Sequence, residues 1–209
     1  MRPTKEQFEA LEKLYDYFNE ILFERSLPAV MLTVSRGKKF HGFFAPERWD
    51  SEGNRIHEIA LNPETMNRPF NLVCSTLVHE MVHLWQQVYG IKKPRKAYHN
   101  KEWANYMEKI GLIPSSNGLP GGARTGQHMT HYIQIDGPFE KAFNELYEDY
   151  YLPLKALSHM EPDKKKAKAK NKIKYSCPGC DVNVWGAPDL NIRCNDCVLD
   201  LKPEENEGD

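Results

Sequence analysis

At 209 residues the chain has room for one medium domain with a small appendage, or for two small domains. Hydrophobic residues make up 40% and charged residues 27%, and no run approaches the roughly 18 apolar residues of a spanning helix, which argues against a membrane partner. The net charge of −1 hides the segment 164–174, KKKAKAKNKIK, with seven lysines and no acid, so the composition implies no global preference for nucleic acid and leaves room for a local one.

The N-terminal stretch MRPTKEQFEALEKLYDYF carries charges throughout and has no compact apolar core before a small-residue cleavage site. It reads as structure rather than a secretory signal, and the expected compartment is the cytoplasm. Over residues 4–24, Phe8, Leu11, Leu14, Tyr15, Phe18, Ile21 and Leu22 recur at spacings of three and four, one stripe of a helix. Thr4 with Gln7 resembles a capping box, and Ser26-Leu27-Pro28 closes the helix. Short alternating runs follow at 30–34, 40–44 and 55–61, separated by polar turns, and predict a small, mostly antiparallel sheet of three strands.

Residues 69–89 form the strongest predicted helix, with Pro69 at its start and Gly90 just past its end. Apolar side chains surround most of its circumference, which marks a buried helix. Residues 101–110 predict another helix, residues 115–127 a glycine-rich loop, and residues 139–157 a last helix. The composition turns to Lys and Ala from 161. The expected organisation is a domain over 1–160, a lysine-rich linker over 161–174, a small cysteine unit over 175–202 and an acidic tail over 203–209.

The buried helix contains His79-Glu80-Met81-Val82-His83, an HExxH pattern. Residues four apart on a helix stand one above the other, so both imidazoles can reach one ion from the same face. Glu80, rotated by about a quarter turn, can meet a water on that ion without being a ligand. Polar groups on so apolar a helix need partners, and a metal explains all three together. A third ligand is required, and the residues leave His99, Glu102, and His128 or His131 open. His41, His57 and His159 read as ordinary histidines, and Cys74 as an inert core thiol.

Four cysteines form two tight pairs, Cys177/Cys180 and Cys194/Cys197, thirteen residues apart. In a reducing compartment such pairs are metal ligands rather than disulfides, and a redox dithiol would need only one of them. The spacing is that of a zinc ribbon, with two knuckles joined by a hairpin around 186–189. About 25 residues cannot bury an adequate core, so the metal would supply the folding energy, of order 10–16 kcal/mol. Beside it, Tyr175, Trp185 and the lysines Lys164, Lys165 and Lys166 are candidates for stacking on and neutralising single-stranded DNA. The plainer reading packs Trp185 inside the ribbon and keeps the lysines as a solvated linker.

The leading amphipathic helix, the short sheet, HEMVHLW, a later His followed by a Glu-aromatic pair, and CPGC with CNDC resemble the SprT-like family, which includes the Spartan-type DNA-protein crosslink proteases. The family's third histidine commonly sits in a Gly-His-Gly turn followed by Glu and Phe, whereas this chain has Tyr98-His99-Asn100, then Glu102-Trp103. The resemblance implies an α+β zincin-like metallopeptidase domain plus a C-terminal zinc ribbon. It also implies His79, His83 and His99 as ligands of a catalytic Zn2+, with Glu80 as general base. A structural Zn2+ would sit on Cys177, Cys180, Cys194 and Cys197. The substrate would be a protein, in an extended form along an edge strand expected at 55–61, and DNA a candidate partner. Tyr98, Arg124, His131 and Tyr132 are candidates for steadying the oxyanion. The rival expectation is a non-catalytic nucleic-acid-binding zinc protein, which would have no need of Glu80.

Overall fold

A computed structural model describes residues 2–38, 40–91, 95, 98–146, 150–154 and 173–204. The chain divides into two compact units, Met1–Leu157 and Ser158–Asp209. Among the described residues no helix is long and apolar enough to cross a membrane.

The first unit is mixed α+β. Helix α1 (Pro3–Phe23) buries Leu11, Leu14, Tyr15, Phe18 and Leu22, as the stripe predicts, but leaves Ile21 exposed. It starts one residue before Thr4, and the Arg2 backbone N–H donates to Glu6 rather than entering a Thr4–Gln7 box. Gln7 is buried and accepts from the Leu154 N–H at 2.8 Å, so a distant segment takes the group assigned to the cap. Glu24 and Arg25 adopt left-handed backbone and end the helix. The chain then turns back along it, held by the Asn19 side chain, which both donates to and accepts from Leu27 at 3.1 Å.

Three strands follow: β1 (Met31–Val34), β2 (Gly42–Ser51) and β3 (Asn54–Leu61). The sheet order is β1-β3-β2, with β3 parallel to β1 and antiparallel to β2. The strand expected at the edge therefore lies in the centre, and one of its two pairings is parallel. The segment between β1 and β2 makes this possible: the Asn62 side chain donates to the carbonyls of Gly37 and Phe40, holding a crossover that leaves room for β3. Two sequence signals agree with the observed order. Ile59-Ala60-Leu61 is a continuous apolar run, all buried, as a strand flanked on both sides requires. Pro46 falls where the β2 register shifts, and proline within a sheet is confined to edges and bulges.

After a 3₁₀ turn (Pro63–Thr65), α2 (Phe70–Tyr89) runs across the sheet and packs on β2, β3 and the other three helices. Its buried side chains include Val73, Leu77, Val78, Met81, Val82 and Leu84. Helix α3 (Lys101–Lys109) leads into β4 (Leu112–Ser115), which pairs antiparallel with β5 (Thr130–Ile133). Gly111, at φ +81°, makes the turn between α3 and β4; a Cβ there would meet Pro138 at 2.9 Å. Helix α4 (Pro138–Asn144) is much shorter than the predicted 139–157: the Leu146 N–H turns back to the Phe143 carbonyl at 3.1 Å, and Pro153 with its predecessor argues against helix at the far end of that range. Leu152 instead buries itself in the core shared by α1, α2, α3 and α4.

In the second unit, β6 (Ile173–Ser176), β7 (Asn183–Gly186) and β10 (Lys202–Pro203) form a sheet of order β10-β6-β7, while β8 (Arg193–Cys194) pairs with β9 (Leu199–Asp200). The expected hairpin around 186–189 is not the link. Each cysteine pair instead lies in or beside the turn of its own hairpin, β6–β7 or β8–β9. Residues 161–172 of the expected linker and 205–209 of the tail lie outside the described residues.

Candidate metal centres

Helix α2 carries His79 and His83 one turn apart, with ring centroids 5.2 Å from each other. His99 reaches them from the segment before α3. Asn100, the N-cap of α3, accepts from the Trp103 backbone N–H at 3.0 Å and from the Gln86 amide of α2 at 2.7 Å. That one side chain starts α3 and ties it to α2. The glycine-rich loop, which the sequence leaves without a role, supplies the other support. His99 and Gly126 exchange backbone hydrogen bonds of 2.8 and 3.1 Å. The Gly126 carbonyl also lies 3.1 Å from His99 Nδ1. A carbonyl only accepts, so Nδ1 holds the proton and the Nε2 lone pair is free.

The ring nitrogens of His79, His83 and His99 lie within 4.8 Å of one another, an arrangement able to hold a metal ion. Burial and the neighbouring imidazoles hold His79 well below its ordinary value of 6.5, and burial takes His83 down to about 3. Burial also lowers His99. All three are therefore neutral donors at pH 7, the form that binds zinc or a similar divalent ion. Trp103, fully buried, forms the wall behind them, its ring 4.4 Å from His99, 5.0 Å from His79 and 5.5 Å from His83. Its indole N–H has no hydrogen-bond partner among the described residues.

The other candidates for a third ligand lie elsewhere or are otherwise engaged. Glu102 accepts from the Gln86 amide at 3.2 Å and the Ile91 N–H at 2.8 Å, so both its oxygens are engaged in structure. His128 is exposed and outside the cluster. His131, on β5, stands 3.1 Å from His79, Nδ1 to Nδ1, yet is not one of the three convergent donors. Burial, Arg68 and His41 push it down to about 4. Arg124 is held by Glu108 and Asn105. Cys74 is buried, its thiol pushed far up by desolvation, as an inert core residue should be.

Glu80 is buried beside His79 on α2, against β2. Desolvation raises it to about 8, and a backbone hydrogen bond from Phe44 pulls the other way. An adjacent cation would favour its charged form. The strand nearest this carboxyl is thus β2, an edge strand, and not the β3 expected to receive a substrate.

In the second unit the sulfurs of Cys177, Cys180, Cys194 and Cys197 also lie within 4.8 Å of one another. The Gly179 N–H donates to Cys177 Sγ at 3.4 Å, and mainly for that reason Cys177 falls to about 7. A Cβ on Gly179 would meet Cys197 Sγ at 3.0 Å, so the first knuckle needs glycine to close on the second. Four thiols in this arrangement suit a closed tetrahedral ion such as zinc. The two aromatic candidates occupy different surroundings. Tyr175 is core: its hydroxyl donates to the Ala187 carbonyl at 2.8 Å and accepts from the Leu190 N–H at 3.1 Å, which leaves no face for a base. Trp185 is 62% exposed instead of packing the ribbon. Lys164, Lys165 and Lys166 lie outside the described residues.

A mixed α+β unit with three convergent imidazoles, followed by a four-cysteine unit, defines a protein equipped to bind metal. The chain belongs to the SprT-like family, whose model matches residues 11–123, more than half its length and all three imidazoles. It is also similar to a curated Salmonella typhimurium protein described as "Uncharacterized protein in mucB 3'region", at 38% identity over 47 residues. That alignment covers 22% of this chain and 64% of the relative, so the chain spans less than two thirds of the relative's length. No solved structure matches the chain.

Proposed function

We propose that the chain is a zinc-dependent peptidase with a zincin-like catalytic unit. The observation that carries this reading is the convergence of His79, His83 and His99 on one point with the Glu80 carboxyl on the same helix beside them. The three imidazoles would hold the ion, and zinc so bound supplies Lewis acidity toward a carbonyl and lowers the pKa of water toward about 7. Glu80 takes the proton from the water that attacks the scissile carbonyl and returns it to the leaving amine as the C–N bond breaks. Burial keeps bulk water from competing for that proton. Trp103 holds the ligand rings in place. A substrate chain adds to the free edge of β2 near Phe44, where main-chain hydrogen bonds align it without regard to side chains. A second zinc on the four cysteines holds the C-terminal unit together.

Substrates associated with DNA are the extension favoured by the exposed Trp185, which can stack on a base of single-stranded DNA. The non-catalytic alternative leaves Glu80 only its hydrogen bond from the Phe44 backbone. The test compares wild type with Glu80→Gln on an unfolded protein substrate, with and without single-stranded DNA, while zinc content is counted. Loss of cleavage with two zinc ions retained supports the reading. Equal cleavage by both proteins at unchanged zinc content refutes it. A Trp185→Ala protein that keeps its DNA stimulation removes the DNA extension alone.

A further inference from the structure

His131 faces Pro114 across the β4–β5 pair, beyond the residues matched by the family model. Its Nδ1 lies 3.1 Å from His79 Nδ1, with ring centroids 5.3 Å apart and 40° between the planes. Two ring nitrogens at that separation are either hydrogen-bonded or joint ligands of one ion. The second arrangement needs His131 among the mutually convergent donors, and that set is His79, His83 and His99. A hydrogen bond is left, and two neutral imidazoles can share only one proton in it.

The contrast with His99 gives this bond its consequence. The partner of His99 Nδ1 is a carbonyl, which fixes the tautomer by being unable to donate. The partner of His79 Nδ1 is a ring that can play either part. Were His131 the donor, His79 would hold its proton on Nε2 and could not offer that nitrogen to an ion. We propose that His131 Nδ1 accepts from His79 Nδ1–H and so presents the His79 Nε2 lone pair to the metal. His131 is then a positioning residue for a ligand, set on the β-hairpin whose glycine-rich connection also orients His99. One hairpin aligns two of the three imidazoles. Ligating histidines commonly have such a partner on the far nitrogen, and its loss weakens metal binding roughly 10–100-fold.

This rests on the imidazole cluster binding a divalent ion, and the experiment separates the two claims. Full-length protein is loaded with cobalt(II), whose visible bands distinguish an imidazole site from a thiolate site, and zinc affinity is read by chelator competition. His131→Leu removes the acceptor. His131→Asn offers an amide oxygen near the place of Nδ1. His131→Leu is expected to bind zinc roughly 10–100-fold more weakly with unchanged cobalt band positions, and His131→Asn to recover most of the loss. In zinc-loaded wild type, nitrogen-15 spectra are expected to show His79 protonated at Nδ1. Wild type with no ion on the imidazoles sinks the metal reading itself. Wild type that binds while His131→Leu binds equally well overturns the role of His131 alone. Equal weakening in both variants, or shifted cobalt bands, also overturns it, because the ring would then act by bulk or as a ligand. A His79 proton on Nε2 overturns it whether or not either variant folds.

Discussion

Replacing Asn100 with Ala perturbs the support of the candidate site while leaving every candidate ligand in the chain. The side chain accepts two hydrogen bonds, from the Trp103 N–H at 3.0 Å and the Gln86 amide at 2.7 Å. Losing an N-cap of this type costs about 1 kcal/mol. The Gln86 donor keeps Glu102 at 3.2 Å, so its loss falls at the low end of the unsatisfied-donor range, about 1 kcal/mol more. Together these give about 2 kcal/mol, a fall of roughly 4–8 °C in melting temperature for a unit of this size. His99 is the adjacent residue. If the whole ~2 kcal/mol served to hold it in place, zinc binding would weaken about 30-fold, which is the upper bound. The assay is thermal melting of the metal-free and zinc-loaded protein by circular dichroism, with Asn100→Asp as a control that keeps the acceptor. A double-mutant cycle with Gln86→Ala should show coupling of about 0.5–1 kcal/mol. A metal-free Asn100→Ala protein that melts within about 1 °C of wild type, with no coupling to Gln86, would refute the reasoning.

Two further outcomes follow from the site and from the second unit. In the metal-free fold His83 and His131 are pushed down to about 3 and about 4. Below pH 6.5 the unfolded chain takes up protons on these rings, and on His79, which is also held well below 6.5, while the folded chain does not. Glu80, raised to about 8, works the opposite way but is one group against three, so stability falls as pH drops from about 6.5 toward 4. Urea titrations at pH 7 and pH 5 with identical midpoints would contradict this. Chelation is expected to unfold the cysteine unit, whose buried core among the described residues is Tyr175, Cys177, Cys194 and Leu201, while the first unit keeps its helices. Amide spectra that retain the dispersed ribbon signals after complete zinc removal would show that the metal is not what holds it.

Local periodicity and spacing determined much of this protein in advance. The stripe of α1, the apolar circumference of α2, the four-residue spacing of His79 and His83, and the paired cysteines are relations between residues near in sequence, which backbone geometry converts directly into shared faces. Family resemblance narrowed the third ligand to His99, whereas spacing alone left it open with Glu102, His128 and His131. Only the tertiary structure engaged Glu102 with Gln86 and the Ile91 N–H, inserted β3 between β1 and β2, and brought Gly126 back to His99. It also separated the two aromatic candidates, Tyr175 buried by hydrogen bonds to Ala187 and Leu190 and Trp185 left in solvent. The physical reason is common to these cases. A helix is written in contacts three and four residues apart, while strand order, loop return and hydrogen-bond partners depend on segments tens of residues apart, whose meeting no local pattern records.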